Sequence, residues 1–191
     1  MFARLFAAFL ALFTKKPNTV AAPLPTYTPT PEPVKRPTGK GAAIGGVAGA
    51  ATIAAIVAFI GPWEGRRYTA YQDIVGVWTI CEGHTKGVKA GDVATDAQCD
   101  EMAAQDVAEH NAGIRACITR PMAQNVEIAF TSLAFNAGVG AFCGSTALRR
   151  YNAGDDTGAC DALNMWVRAG GKVVKGLVNR RAAESALCKK D

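Results

Sequence analysis

The chain is 191 residues long, 49% hydrophobic and 19% charged, with a mean hydropathy of +0.08. That apolar content excludes a wholly disordered protein and six cysteines are too few for a disulfide-knot scaffold, so one ordinary domain plus an appendage is expected. The net charge of +5 sits in residues 1–61, where six Lys or Arg oppose only Glu32; the other 130 residues balance fifteen basic against fifteen acidic groups, which speaks of membrane orientation rather than a nucleic-acid surface.

Residues 1–16 are a short apolar segment. Phe2 to Phe13 is apolar except for Arg4, but twelve helical residues reach only about 18 Å and cannot span a bilayer. An interfacial anchor is expected; a signal-peptide core is the alternative, although no small-residue cleavage site closes it. Residues 17–40 are a linker, with seven of the nine prolines between Pro17 and Pro37, where fixed backbone angles and missing amide donors keep the chain extended. Residues 41–61 then run uncharged from Gly41 to Gly61, about 31 Å of helix, enough to span. Lys35, Arg36 and Lys40 precede this segment, so the positive-inside rule places the amino terminus in the cytoplasm and exports the chain beyond Gly61. With eight Ala and five Gly it is only weakly hydrophobic, which makes release from the membrane conceivable. A stable single-pass anchor, with Gly45 and Gly49 packing two copies together, is the alternative.

All six cysteines come after that segment, in residues 62–191. Their spacing contains no CxxC and the region offers only His84 and His110 as further ligands, so neither zinc nor any other metal is expected, and disulfides in an oxidising compartment fit better. Among the open connectivities, Cys117 with Cys143 and Cys160 with Cys188 each tie two neighbouring predicted helices, leaving Cys81 with Cys99. Tyr68 to Thr85 is rich in aromatic and β-branched residues and reads as an antiparallel hairpin. Thr95 and Gln98 form a capping-box pattern, predicting a helix from Asp96 to about Ala112, with Asn111 and Gly113 loosening its end. Pro121 suits the first turn of the next helix, in which Val126, Phe130, Leu133 and Ala137 recur at helical spacing. Further helices are predicted over Thr146 to Asn152, Thr157 to Val167 and Val178 to Cys188. One β element and then five helices make the fold class α+β. No nucleotide motif is present and no cofactor is expected.

Cleaving a glycosidic bond requires a proton-donating carboxyl and a second group opposite it that holds water or stabilises positive charge. Glu64 comes directly after Trp63, an apolar wall that disfavours its charge. Asp73 lies among polar neighbours on the hairpin, and the turn near Val75 and Gly76 would return Thr79 beside it.

The spacing Glu64-x8-Asp73-x5-Thr79, with Gly83-His84 beyond it, is similar to the catalytic signature of the phage-type lysozymes, glycoside hydrolase family 24. EGRRYTAYQDIVGVWTICEGHT matches without a gap, and the resemblance continues through AFNAGVGAFCGSTALRRYN and MWVRAGGKVVKGLVNRR, covering residues 62 to 188. The chain looks in particular like a signal-anchor-release endolysin of the lambdoid-phage kind, with Gly41 to Gly61 as the releasable helix. This resemblance implies a lysozyme-like fold and an inverting muramidase that lyses the host cell by cutting the β-1,4 bond between N-acetylmuramic acid and N-acetylglucosamine in peptidoglycan. Glu64 would be the general acid, with Asp73 and Thr79 positioning water and stabilising the oxocarbenium charge. His84 resembles a structural ion-pairing histidine, and Arg180 the arginine that pairs with the catalytic glutamate, with Arg181 as the adjacent alternative. Phe135 and Asn136 fall where the central helix meets the cleft. The expected partners are peptidoglycan, the inner membrane through residues 41–61, and host Sec export. The catalytic domain is expected to be monomeric and to act in the periplasm after release. Alternatives are a lytic transglycosylase, or a catalytically silent, membrane-tethered wall-binding protein. The family's members usually begin a few residues before the releasable helix, so the forty-odd residues ahead of it here are a departure.

Overall fold

A computed structural model describes residues 48–73 and 75–190. The apolar segment over residues 1–16, the linker over 17–40 and the first part of the weakly apolar stretch, 41–47, lie outside the described residues.

The rest of that stretch is folded against protein. Helix α1 (Ala50–Ile60) buries Ile56 and Ile60 against Val107, with Ile53, Val57, Ile128 and Phe135 packed around them. Among the described residues no helix is long and apolar enough to cross a membrane. A 3-10 turn at Gly61–Trp63, with Pro62 supplying a preset φ, carries the chain from α1 into Glu64, whose amide donates to the Gly61 carbonyl at 3.2 Å.

The expected hairpin is β1 (Arg67–Gln72) antiparallel to β2 (Trp78–Cys81), with Tyr71 opposite Thr79 and Gln72 opposite Trp78 and an irregularity nearer Arg67. Ile80 and Cys81 of β2 form a small core with Val88, Ala94, and Cys99 and Met102 of the next helix, and Ala70 and Trp78 pack partly buried against it. That helix, α2 (Asp96–Arg115), starts with the expected capping box, Thr95 accepting from the Gln98 amide and Gln98 from the Thr95 amide. It runs past Ala112 because neither presumed breaker acts as one. The buried Asn111 amide donates to Glu127 Oε1 at 2.7 Å and Thr131 Oγ1 at 3.0 Å, and Gly113 leaves room for Val139, whose Cγ1 lies 2.8 Å from where a Cβ would be.

Helix α3 (Gln124–Ala137) is the central element, its Ala129, Phe130, Leu133 and Ala134 fully buried. Pro121 precedes it rather than joining its first turn, and the Pro121 carbonyl accepts from the Tyr151 hydroxyl at 2.6 Å. Then come the unforeseen α4 (Val139–Cys143), α5 (Thr146–Asn152) capped by Ser145, and α6 (Asp156–Ala162) capped by Asp155. The helix expected to reach Val167 stops earlier. After a 3-10 turn at Leu163–Met165 the chain forms a second small hairpin, β3 (Arg168–Ala169) with β4 (Lys172–Val173), turned by Gly170 and Gly171, both at positive φ. Helix α7 (Lys175–Cys188) begins three residues before Val178 and lies against α3.

In the main core Phe130 packs tilted on Phe142 at 5.1 Å and edge-on to Tyr151 at 5.2 Å, with Trp166 partly buried against the same core. Three disulfides tie the elements: Cys81–Cys99 joins β2 to α2, Cys117–Cys143 joins the end of α2 to α4, and Cys160–Cys188 joins α6 to α7. The result is an α+β fold, a small antiparallel hairpin beside a mostly helical body.

Candidate active site

Where the hairpin meets the helical body lies a cleft of about 360 Å³. It is lined by Glu64, by Glu82, Gly83, Thr85 and Lys86 beyond β2, by Asp106, Glu109 and His110 of α2, and by Phe135 and Asn136 at the end of α3. Sequence-distant segments therefore supply both carboxyls and apolar surface to one groove, a lining suited to a sugar chain.

The setting of Glu64 differs from the expected apolar wall. Trp63 is only half-buried, and the group facing the Glu64 carboxyl is Arg180 of α7, whose Nη1 donates to Oε1 at 2.6 Å across 116 positions of sequence. The docking of α7 on α3 makes this contact, since the Arg180 guanidinium also donates to the Ser132 carbonyl at 3.2 Å. Arg181, the adjacent alternative, points elsewhere: it is fully buried, and its Nη2 donates to Asn136 Oδ1 at 3.0 Å. Burial lowers the Arg181 guanidinium to about 10 and pushes the buried Glu184 carboxyl upward, because each charged form loses water.

Asp73 and Thr79 are not among the residues lining the cleft. Asp73 Oδ1 accepts from the Val75 and Val77 amides, both at 2.9 Å, and so ties the hairpin turn. Thr79 is 4% exposed and its hydroxyl donates to the Val77 carbonyl at 3.0 Å. Both belong to one face of the hairpin, since Thr79 is opposite Tyr71 and Asp73 is two residues beyond Tyr71.

His84 is buried behind the cleft, Nδ1 2.9 Å from Asp106 Oδ2 and Nε2 3.1 Å from the Lys86 carbonyl. Both nitrogens face acceptors, an arrangement that suits the doubly protonated ring, and Asp106 raises the His84 pKa above its usual value. Phe135 packs tilted on His110 at 5.0 Å, and Lys86 pairs with Glu109 on the same wall. Sequence reasoning missed Ser132, Glu184 and the cleft-lining acids and bases of α2. The available signal for Glu184 was its spacing, three and four residues after two adjacent arginines.

The model of the phage lysozyme family matches residues 61–184. This chain belongs to the phage lysozyme family. It is 42% identical over 153 residues to a SAR-endolysin of Enterobacteria phage P21, covering 77% of this chain and 91% of that relative. It is 45% identical over 141 residues to a SAR-endolysin of Pseudomonas phage phiKMV, covering 71% and 87%. Among solved structures, a P22 lysozyme mutant superposes with a TM-score of 0.65 at 35% identity, covering 71% of this chain and 96% of the other. The muramidase domain of SpmX from Asticaccaulis excentricus superposes at 0.68 with 33% identity, covering 72% and 96%. As a member of this family the protein is a glycoside hydrolase with peptidoglycan-lytic function, and the groove holding Glu64 is its candidate active site.

Proposed function

We propose that this lysozyme cleaves the β-1,4 bond between N-acetylmuramic acid and N-acetylglucosamine by direct displacement with water. The observation that carries the reading is Glu64, seated in the cleft on the turn leaving α1 and held by Arg180 at 2.6 Å. In this mechanism Glu64 protonates the departing glycosidic oxygen, and its resulting carboxylate is stabilised by the guanidinium already beside it. Asp73 and Thr79 hold the water that attacks the opposite face of the sugar and stabilise the oxocarbenium-like transition state. Phe135 and Asn136 bind sugar, the first as an apolar surface and the second through its amide. His84 fastens the segment after β2 to α2 through Asp106.

Residues 41–61 act as a signal anchor in this proposal. Sec export leaves the amino terminus in the cytoplasm and the domain over 62–191 in the periplasm, and residues 1–40 stay on the cytoplasmic side as short apolar segment and linker. The weak hydrophobicity of the anchor supports its later release, as do the relatives bearing the SAR-endolysin name. Ile56 and Ile60, buried against Val107, offer the released helix a protein seat in place of lipid.

Mass spectrometry of the sugar ends released from purified peptidoglycan by the full chain tests the chemistry. Reducing ends from the wild type and their loss in Glu64→Gln are expected. Anhydro ends would instead establish a transglycosylase, the second reading, which is favoured by the commitment of Asp73 Oδ1 to the hairpin turn. Wall binding without products from the wild type would sink both in favour of a silent, tethered binding protein.

A further inference from the structure

Arg180 and Arg181 are adjacent and buried, and each reaches a cleft residue, Arg180 to Glu64 and Arg181 to Asn136. Two neighbouring guanidiniums taken out of water require nearby counter-charge. It comes from Glu64, 2.6 Å from Arg180, and from Glu184, which is 0% exposed and one turn further along α7. Its Oε1 gathers Arg180 Nε at 3.2 Å, Arg181 Nη2 at 3.2 Å and the Ser132 hydroxyl at 2.6 Å. Ser132 and Asn136 are one turn apart on α3, so a single buried oxygen joins α3 to both arginines. Arg181 Nε and Nη1 are also buried and have no partner among the described residues.

We infer that Glu184 is a positioning residue of the active site: it divides the two arginines so that one, and only one, serves Glu64. This rests on Glu64 being the general acid. Without the Glu184 charge, Glu64 is the acid left acting on both guanidiniums, bonded to Arg180 at 2.6 Å and already attracting Arg181. An acid facing two cations surrenders its proton at lower pH, so less of it remains able to donate at neutral pH. Glu82 and Lys86 beyond β2 and Asp106, Glu109 and His110 of α2 share the cleft with Glu64 and are unchanged in every variant below.

Glu184→Gln keeps the shape and the hydrogen-bond acceptor but removes the charge. In the full chain acting on soluble peptidoglycan oligomers, kcat at neutral pH is expected to fall about tenfold with little change in KM, because a smaller fraction of the bound enzyme carries the donatable proton. The alkaline limb of the pH profile is expected to move down by about one pH unit, the displacement that a tenfold loss of protonated acid requires. Adding Arg181→Gln restores the charge balance and should return that limb toward the wild-type position. A purely structural role predicts rates reduced in parallel at all pH values and a double variant worse than the single one; that pattern would overturn the inference. If Glu184→Gln fails to fold, Ser132→Ala, which removes the hydroxyl that donates to Oε1 and accepts from Arg180 Nη2 at 3.3 Å, must move the limb in the same direction by a smaller amount, and an unmoved limb overturns the inference equally. Should Glu64→Gln stay active, the acid assignment fails and takes this inference with it; should Glu64→Gln be dead while the limb of Glu184→Gln stays in place, this inference fails alone.

Discussion

His84 gives the lysozyme a pH-dependent brace. Asp106 raises its pKa in the folded state, so its contribution to stability is fully present below the ordinary histidine value of 6.5. That contribution is lost as the pH rises through the raised folded-state value and the ring gives up its second proton. Thermal melting across this window should show Tm falling with rising pH in the wild type, and the fall should flatten in Asp106→Asn; parallel curves would show that the pair is not the cause. Single residues differ in how far the sequence exposes their roles. Glu64 stood out through resemblance, its spacing to Asp73, Thr79 and Gly83-His84 matching the family signature in one ungapped stretch; of Glu64, Asp73 and Thr79 only Glu64 lines the cleft. Its arginine partner, 116 positions away, came from resemblance, since no local pattern encodes a contact made by docking α7 on α3. Glu184 stayed hidden because a glutamate four residues after an arginine ordinarily reads as half of an exposed pair; here both partners are buried, which the spacing does not reveal.

Element boundaries moved wherever a residue's tertiary partner outweighed its local preference. Asn111 and Gly113 look like helix ends in isolation, but α2 continues through both because one meets Glu127 and the other makes room for Val139. Elements with regular apolar spacing or strong caps, α3 and α5 above all, were legible. The five-residue α4 and the two-residue strands β3 and β4 are too short to carry a period, although Gly170-Gly171 between short runs was a usable turn signal. Gly113 also yields a test that separates intrinsic propensity from packing. Replacing an interior helical glycine by alanine ordinarily gains about 1 kcal/mol. Here the added Cβ would lie 2.8 and 2.9 Å from the two Val139 methyl carbons, too close for either to remain in place. Gly113→Ala is therefore expected to destabilise the protein by about 1–3 kcal/mol, as overpacking does. Val139→Ala in the same chain should recover most of the loss. Urea unfolding of the two variants checks this, and a Gly113→Ala midpoint at or above wild type would mean that Val139 moves aside freely.

Across the molecule, stability depends on three covalent ties, one in the small core behind the hairpin and two at the main helical core. They close loops spanning 18, 26 and 28 residues, each worth about 3 kcal/mol if the stabilisation comes mainly from restricting the unfolded chain. On stability alone the three are therefore nearly equivalent, but their positions are not. Cys81 immediately precedes Glu82 and Gly83 of the cleft and sits at a φ of 56°, in the left-handed region uncommon for a non-glycine residue. Its bond to Cys99 holds the segment that lines the active site against α2. Cys160 and Cys188 join α6 to the last residue of α7, two turns beyond Arg180 and outside the cleft-lining set. Removing the pair as Cys160→Ala with Cys188→Ala should lower Tm by about 10 °C for a domain of this size while leaving kcat close to wild type below the new transition. Removing Cys81–Cys99 in the same way should cost a comparable amount of stability and reduce kcat as well, because the cleft segment loses its tie. Equal kcat values for the two double variants, measured well below both melting transitions, would show that the backbone around Glu82 holds its conformation without the covalent bond.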